Sequence, residues 1–457
     1  MQARCKILIA GAVSLALTSS AALAGVPASE AAKLGKSLTP IGAIRAGNAD
    51  GTIPEWSGGL ANPPQRPGPN HYLANPYKKD QVEFTITAAN YKQYQDKLSP
   101  GLIAMFRHYP DFRMNVYPTH RPASYPEKVY DWTKKNALHA VLKGQNGVED
   151  AAVGFPFPIP KNGAEVLWNH SQAWHYPHSS LQHFDRAIVG QDGSFYDVKM
   201  RIWIKYVYNN FNSTPAKLAK MNPPNMNVYF LQVVDSPSRL AGEVLLVWEP
   251  INQEAHKRSA WIYNPGQRRV RRAPNVEFDN TTGTHSDGLQ TDDQFNMWNG
   301  SLEQYNWKLL GRKEMYIPYD SYALEQDGLT PSDIVRARHI NPKLARYELH
   351  RVWIVEGTLK KGIRDIYSKR VFYLDEDSWN IALADWYDDR GDLWRVGQGY
   401  LKDYYDIPST GYALYTINDL SSGRYIAMNI VSGNPTEAHT YADSMFTPAN
   451  LRRVGVR

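Results

Sequence analysis

Cysteine is nearly missing from this 457-residue chain: the single one, Cys5, lies in the N-terminal segment MQARCKILIAGAVSLALTSSAALAG. There Arg4 and Lys6 form a positive start and Ile7 to Leu17 an apolar run. Ala22-Leu23-Ala24 then supplies the small residues after which a signal peptidase cuts. The run is well short of the ~20 residues that span a bilayer. We expect export and cleavage after Ala24, leaving residues 1–24 as a signal peptide. Gly25, not a cysteine, stands at the cleavage point, so no lipid anchor is expected. The mature chain would have neither disulfides nor thiol chemistry, and its stability must come from a core, which its length permits. Signal style and cysteine avoidance point to the periplasm of a Gram-negative bacterium.

Other absences narrow the function. No later segment is apolar and long enough to read as a membrane helix, so a soluble protein is expected. A strong excess of one charge is also missing: 51 Lys and Arg face 45 Asp and Glu, and the formal charge of +6 falls to +4 when Arg4 and Lys6 leave. With no basic arm or helix, nucleic acid is excluded as a partner. There is no G-x-S-x-G, H-E-x-x-H or P-loop, and GQGYLK (397–402) lacks the third glycine of a dinucleotide loop. Acidic pairs such as Asp388-Asp389 and Asp375/Asp377 fall in predicted hairpin turns, where they are ordinary turn formers. Nothing argues for an enzyme or for a cofactor.

What the chain does have is aromatics: 13 Trp, 29 Tyr and 13 Phe. Tyr and Trp join a large apolar face to a polar tip, which suits half-wet cavities as well as β-sheet packing. From about residue 190 the texture is that of strands. VKMRIWIKYVY alternates branched or aromatic residues with polar ones; NVYFLQVVD, EVLLVWEP and SAWIYNP follow. After a stretch read as irregular (about 274–340) come YELHRVWIVEGTL, RDIYSKRVFYLD, WNIALADWYD, DLWRVGQGYL, GYALYTIND and GRYIAMNIV. DEDS, DDRGD and SSG mark tight turns between them. This predicts an antiparallel meander over 190–457, preceded by a helical and irregular region over 25–189 that packs on it as one structural unit. In that region ASEAAKLGKS, AANYKQYQDKL and residues 127–142 read as helices. Ser99-Pro100 reads as the N-cap and first position of another.

Several clusters carry candidate chemistry. GNADGTI (47–53) has part of a calcium-loop pattern, but Ala46 and Ser57 occupy ligand positions, so a turn is expected. His170, His175 and His178 fall in NHSQAWHYPHSSLQHF and are the candidate metal ligands, set against a polar surface loop. In RRVRR, Arg269 and Arg271 share one strand face; they could meet anionic headgroups or an acidic partner, or simply guard an exposed edge. The proline-stiffened strip FRMNVYPTHRPASYP holds Arg113, His120 and Arg121. These either border a pocket mouth and meet a phosphate or carboxylate headgroup, or pair with internal carboxylates.

Four blocks are idiosyncratic: LTPIGAIRAGNADGTIPEWSGG, FRMNVYPTHRPASYP, GFPFPIPKNGAEVLWNH and NPKLARYELHRVWIVEGTLKKGIRDIYSKRVFYLDEDSWNIALADWYDDRGDLWRV. They resemble the hallmark blocks of domain of unknown function family 1329, from about residue 38 to the C-terminus. That family is distantly similar to the outer-membrane lipoprotein-sorting carriers of the LolA/LolB type. The resemblance implies a mainly β (α+β) fold, a large curved antiparallel sheet or incomplete barrel closed by helices over an apolar cavity. It also implies work beside a resistance-nodulation-division (RND) exporter or an outer-membrane partner. The His-rich stretch is not a recognised family feature. On such a sheet Trp203, Tyr206, Tyr208, Trp248 and Trp261 are the candidate cavity residues, unless they only fill the core. The expectation is a periplasmic carrier of a hydrophobic molecule or lipid that contacts a membrane surface. The alternatives are an adaptor of an envelope complex and a glycan-binding or hydrolytic protein.

Overall fold

The computed structural model describes residues 25–65, 71–174, 178–273, 278–281, 285–430 and 437–455. The predicted signal peptide and His175 lie outside the described residues. Among those described, no helix is long and apolar enough to cross a membrane.

Among the described residues seventeen strands form one large sheet. In chain order they are β1 (Phe84–Thr87), β2 (Arg113–Val116), β3 (Ser179–His183), β4 (Asp185–Val189), β5 (Phe195–Tyr206), β6 (Met226–Ser236), β7 (Val244–Pro250), β8 (Ser259–Asn264), β9 (Arg269–Arg272), β10 (Tyr305–Pro318), β11 (Tyr347–Leu359), β12 (Lys369–Asp375), β13 (Ile381–Tyr387), β14 (Leu393–Tyr404), β15 (Ser409–Asp419), β16 (Tyr425–Ile430) and β17 (Glu437–Ala438). Antiparallel pairing runs without a break from β10 to β16, then from β16 to β4, and on through β5, β6, β7 and β8 to β9. β3 continues the line of β4 along the other half of β5 and carries β17. β10 and β9 are not paired with each other, so the sheet is not closed into a barrel. The mainly β architecture, one large and almost wholly antiparallel sheet left open, is the one expected.

The turns follow local chemistry. Asp388 Oδ1 accepts the N–H groups of Arg390 and Asp392, and Asp419 Oδ1 accepts those of Ser421 and Ser422. Each acidic side chain thus closes its own hairpin. GNADGTI is likewise a turn, with Asn48 Oδ1 accepting the N–H of Ile53 and Asp50 Oδ1 that of Thr52.

Three helices brace the sheet. In α1 (Pro100–His108) the Ser99 hydroxyl accepts the N–H of Leu102 and proline opens the first turn, as the sequence predicts. Its buried Leu102, Met105 and Phe106 share one face by their spacing, and the helix lies against β13 and β14. α2 (Glu127–His139) ends slightly before the predicted Leu142. Its Asn136 Nδ2 donates to the carbonyls of Ala152 and Gly154, both at 3.1 Å. α3 (Gly163–Ser171) is buried nearly all round and lies on β10 and β11. A Cβ on Gly163 would stand 3.0 Å from Val355 Cγ1, so this close approach needs glycine or a shift of the sheet.

Three expectations are corrected. AANYKQYQDKL is not a helix but two single 3₁₀ turns after β1, because Thr87 already belongs to a strand paired with β2. The stretch read as irregular contains the 14-residue strand β10, the longest in the sheet. The region read as helical and irregular also holds strands: β1 and β2 lie within it, and the continuous run of strands begins at Ser179, before residue 190.

Alternation along the strands separates two faces. On the inner face Ile202, Ile204, Val228, Phe230 and Val234 join a core shared with α1, α2 and α3. On the outer face Trp203, Tyr229, Leu231, Leu246 and Tyr263 form a second cluster. The C-terminal stretch ending in α4 (Leu451–Gly455) covers it with Phe446 and Leu451.

Candidate functional site

The inner face of β5, β6 and β7 is not wholly filled by opposing side chains. A cavity of about 110 Å³ remains, walled by Ile204, Tyr206, Val228, Phe230, Leu245 and Val247. Each of these occupies an alternate position of its strand, so the period of two is what brings them to one surface. Two larger clefts are less suited to a ligand. One of about 480 Å³ lies off the sheet, between Gly25–Pro27, the end of α2 and the Phe157–Ile159 loop. One of about 400 Å³ lies on the outer face, between Trp203 and the C-terminal stretch. The inner cavity alone among these three combines an apolar wall with several buried charged groups.

The opposite side of the cavity is a crossing segment, residues 285–304, which runs between the open edges β9 and β10. Phe295 inserts its ring against Phe184, at 5.6 Å between centroids, and edge-on to Phe230 at 5.5 Å. Asn296 and Met297 hold left-handed backbone, with φ of 49° and 70°, which asparagine tolerates but which is unfavourable for Met297. Partners on three sides impose it. The N–H of Asn296 donates to Tyr415 Oη at 3.2 Å, and its carbonyl lies 3.0 Å from His170 Nε2. Three residues earlier Asp293 pairs with Arg370 at 2.8 Å, both side chains buried.

Polar groups also meet the cavity. Glu249 and Arg258 pair at 2.8 Å. Asp292 accepts a hydrogen bond from Asn280 Nδ2 at 2.5 Å, and burial pushes its carboxyl up to about 7. Arg186 lies between Val198 of β5 and Met428 of β16 in the ladder and is 3% exposed. Its Nε and Nη1 have no hydrogen-bond partner.

The sequence-predicted residues scatter. Tyr206 lines the cavity. Tyr208 is fully buried elsewhere, its hydroxyl donating to the Gly154 carbonyl at 2.6 Å. Trp203, Trp248 and Trp261 belong to the outer face, where Trp248 Nε1 donates to the Phe446 carbonyl at 2.7 Å. All three have the wrong parity for the inner cavity, since Ile204 and Val247 beside them point there. Arg113 is exposed on β2. His120 stacks on Tyr77 and contacts Asp80 at 2.8 Å. Arg121 is buried, donating from Nε and Nη2 to both oxygens of Asp377 at 2.7 Å and onward to the carbonyls of Ile44, Arg45 and Pro54. None of its nitrogens is left for a headgroup. Arg269 and Arg271 are exposed on the edge strand β9.

The His-rich stretch does not assemble a metal centre among the described residues. His170 has Nδ1 3.1 Å from the Trp379 carbonyl and Nε2 near Asn296, and burial pushes its imidazole down to about 4. His178 is pushed down as well, chiefly by burial. The donors that do approach one another are His350, Asp375 and Asp377, within 4.8 Å. Asp377, however, spends both oxygens on Arg121. Sequence reasoning missed Arg186, Phe295 and Asn296; DRAIV and DDQFNMW carry no motif that marks them.

The family described as Protein of unknown function (DUF1329) matches residues 85–452. The chain is 48% identical over 460 residues to an uncharacterized protein of Pseudomonas aeruginosa, a match covering 99% of each. Among solved structures it is similar to a DUF1329 family protein from Desulfovibrio piger, at 17% identity and a TM-score of 0.43, covering 63% of this chain and 97% of that one. It is also similar to a LolA superfamily protein from Nitrosomonas europaea, at 11% identity and a TM-score of 0.38, covering 63% and 98%.

Proposed function

Since the chain belongs to the DUF1329 family, we propose that it is a periplasmic, non-enzymatic carrier that holds a hydrophobic molecule against the inner face of β5, β6 and β7. The observation that carries this reading is the cavity: aliphatic and aromatic side chains from three adjacent strands face a space that the fold leaves empty. Each methylene moved there from water contributes ~0.8 kcal/mol, so an acyl chain needs no directional chemistry to bind. At about 110 Å³ the space is smaller than the ~300 Å³ of an ordinary ligand pocket. Cargo therefore enters as the Phe295 ring swings aside. The signal-like N-terminus and the lack of cysteine after Cys5 support export.

A second reading, an adaptor for an RND-type envelope exporter or an outer-membrane partner, draws on the exposed arginines of β9. The deciding experiment is native mass spectrometry of protein purified from periplasm without detergent, with an organic extract analysed alongside. A co-purifying lipid mass that is lost on denaturation supports the carrier. An empty protein that also binds no fatty acid or phospholipid sinks it and leaves the adaptor.

A further inference from the structure

Burying a charge is tolerated where a partner of opposite sign compensates it. The arginines around the sheet obey this: Arg121 has Asp377, Arg258 has Glu249, Arg370 has Asp293 and Arg395 has Asp419. Arg186 does not. It has no ion pair among the described residues, Nε and Nη1 are unpartnered, and it lines the inner cavity. The Phe184 ring lies 5.7 Å from its guanidinium carbon.

The other titratable groups around it do not neutralise it. Glu249 is spent on Arg258. Asp292 is held up to about 7 by burial, so near neutral pH it carries only part of a charge. Tyr415 is a neutral phenol, pushed up to about 12 by burial. His285 pairs with Glu243 and is pushed down to about 4, by burial first and then by the charges of Arg186 and Arg239. The guanidinium itself is pushed down by burial, but only to about 10, and it stays a cation.

We infer that the cavity takes a single-chain amphiphile with an anionic head, a carboxylate or a phosphate, seated head-inward against Arg186 with its chain along Ile204, Val228, Phe230 and Val247. This rests on the carrier reading and names its cargo class. An anion supplies the missing counter-charge and acceptors for Nε and Nη1; the desolvation of Arg186 is already met in folding, so the ligand gains a charge-assisted contact in a dry site. The present volume holds the head and the first carbons, and the remaining chain displaces Phe295.

The test compares decanoate, decanol and decyl phosphate binding by calorimetry to the full mature chain and to Arg186→Met. Methionine replaces an uncompensated buried charge with an apolar side chain of similar length, a change that cores tolerate well. The native protein should prefer at least one anion over decanol by about tenfold or more, and Arg186→Met should lose that preference and bind decanol at least as well as either anion. Which anion wins separates a fatty-acid head from a phosphate head. Equal binding of anions and decanol to the native protein overturns the inference and leaves the carrier intact; no binding of any probe overturns both. Persistence of the preference in Arg186→Met removes Arg186 from the role. Carboxyl-labelled decanoate gives a readout on the native chain alone. Near pH 3.5 the bound carboxyl carbon should keep its ionised resonance while free ligand is largely protonated, and a protonated resonance in the bound state sinks the head-inward pose.

Discussion

Arg121 shows what a charge in the sequence does and does not reveal. The proline-flanked arginine was visible, and both a headgroup contact and an internal pair were open readings. Its partner Asp377 lies 256 positions away, a pairing that no local pattern encodes. Both side chains are almost wholly buried, 2% and 3% exposed. Removing one member of such a pair strands the other in the interior. Arg121→Gln should therefore lose about 3–5 kcal/mol of stability in urea unfolding while leaving decanoate affinity unchanged. Asp385 makes the complementary case. Tyr373, the Gly101 N–H and the Ser99 hydroxyl donate to it, yet burial dominates and pushes its carboxyl up to about 7. Its folded value lies above the unfolded one, so between about pH 4 and 7 the native state holds the extra proton. The contribution is full below about pH 4 and is lost as pH rises through about 7. Relative to Asp385→Asn, the unmodified chain should lose stability across that window and level off above it, read from unfolding curves at a series of pH values.

At the scale of elements, strand existence was legible and strand facing was not. VKMRIWIKYVY, NVYFLQVVD, EVLLVWEP and SAWIYNP all form strands of the sheet, because branched and aromatic residues alternate in each. Yet in β5 to β8 both faces are apolar, one covered by the core and one by the C-terminal stretch. When both faces are buried, alternation ceases to mark the inside, and the large tryptophans were assigned to the cavity when they lie opposite it. β10 was missed for a related reason: KLLGRKE in its middle is largely polar, with a bulge at Leu309/Gly311, as an edge strand permits. Two substitutions separate the faces. Phe295→Ala should enlarge the inner cavity and strengthen decanoate binding several-fold, since the chain no longer displaces a ring; unchanged or weaker affinity would place the ligand elsewhere. Trp248→Ala removes the Phe446 contact and should lower stability by about 3 kcal/mol. Limited proteolysis should then cut within residues 440–455 sooner, with decanoate binding preserved.

At the scale of the whole molecule, the helical N-terminal region and the sheet share one hydrophobic core, from Ile41, Leu102 and Phe106 to Leu383, Val396 and Ile426. Tyr347 of β11 pairs in parallel with Val116 of β2, so the two regions also share a hydrogen-bonded ladder. Differential scanning calorimetry should then record one cooperative transition, and a fragment beginning near residue 190 should fail to fold; two separable transitions would instead mark two independent domains.

These long connections have a consequence in time. The Trp379 indole donates to the carbonyl of Ile41, 338 residues earlier, and Glu376 accepts the N–H of Ile44, 332 residues earlier. At ~5–20 residues per second of synthesis, the first segment waits tens of seconds before the residues that anchor it exist. During that interval Ile41 and Ile44 have no anchor, so the segment around them cannot lock into its native place before most of the chain has been made.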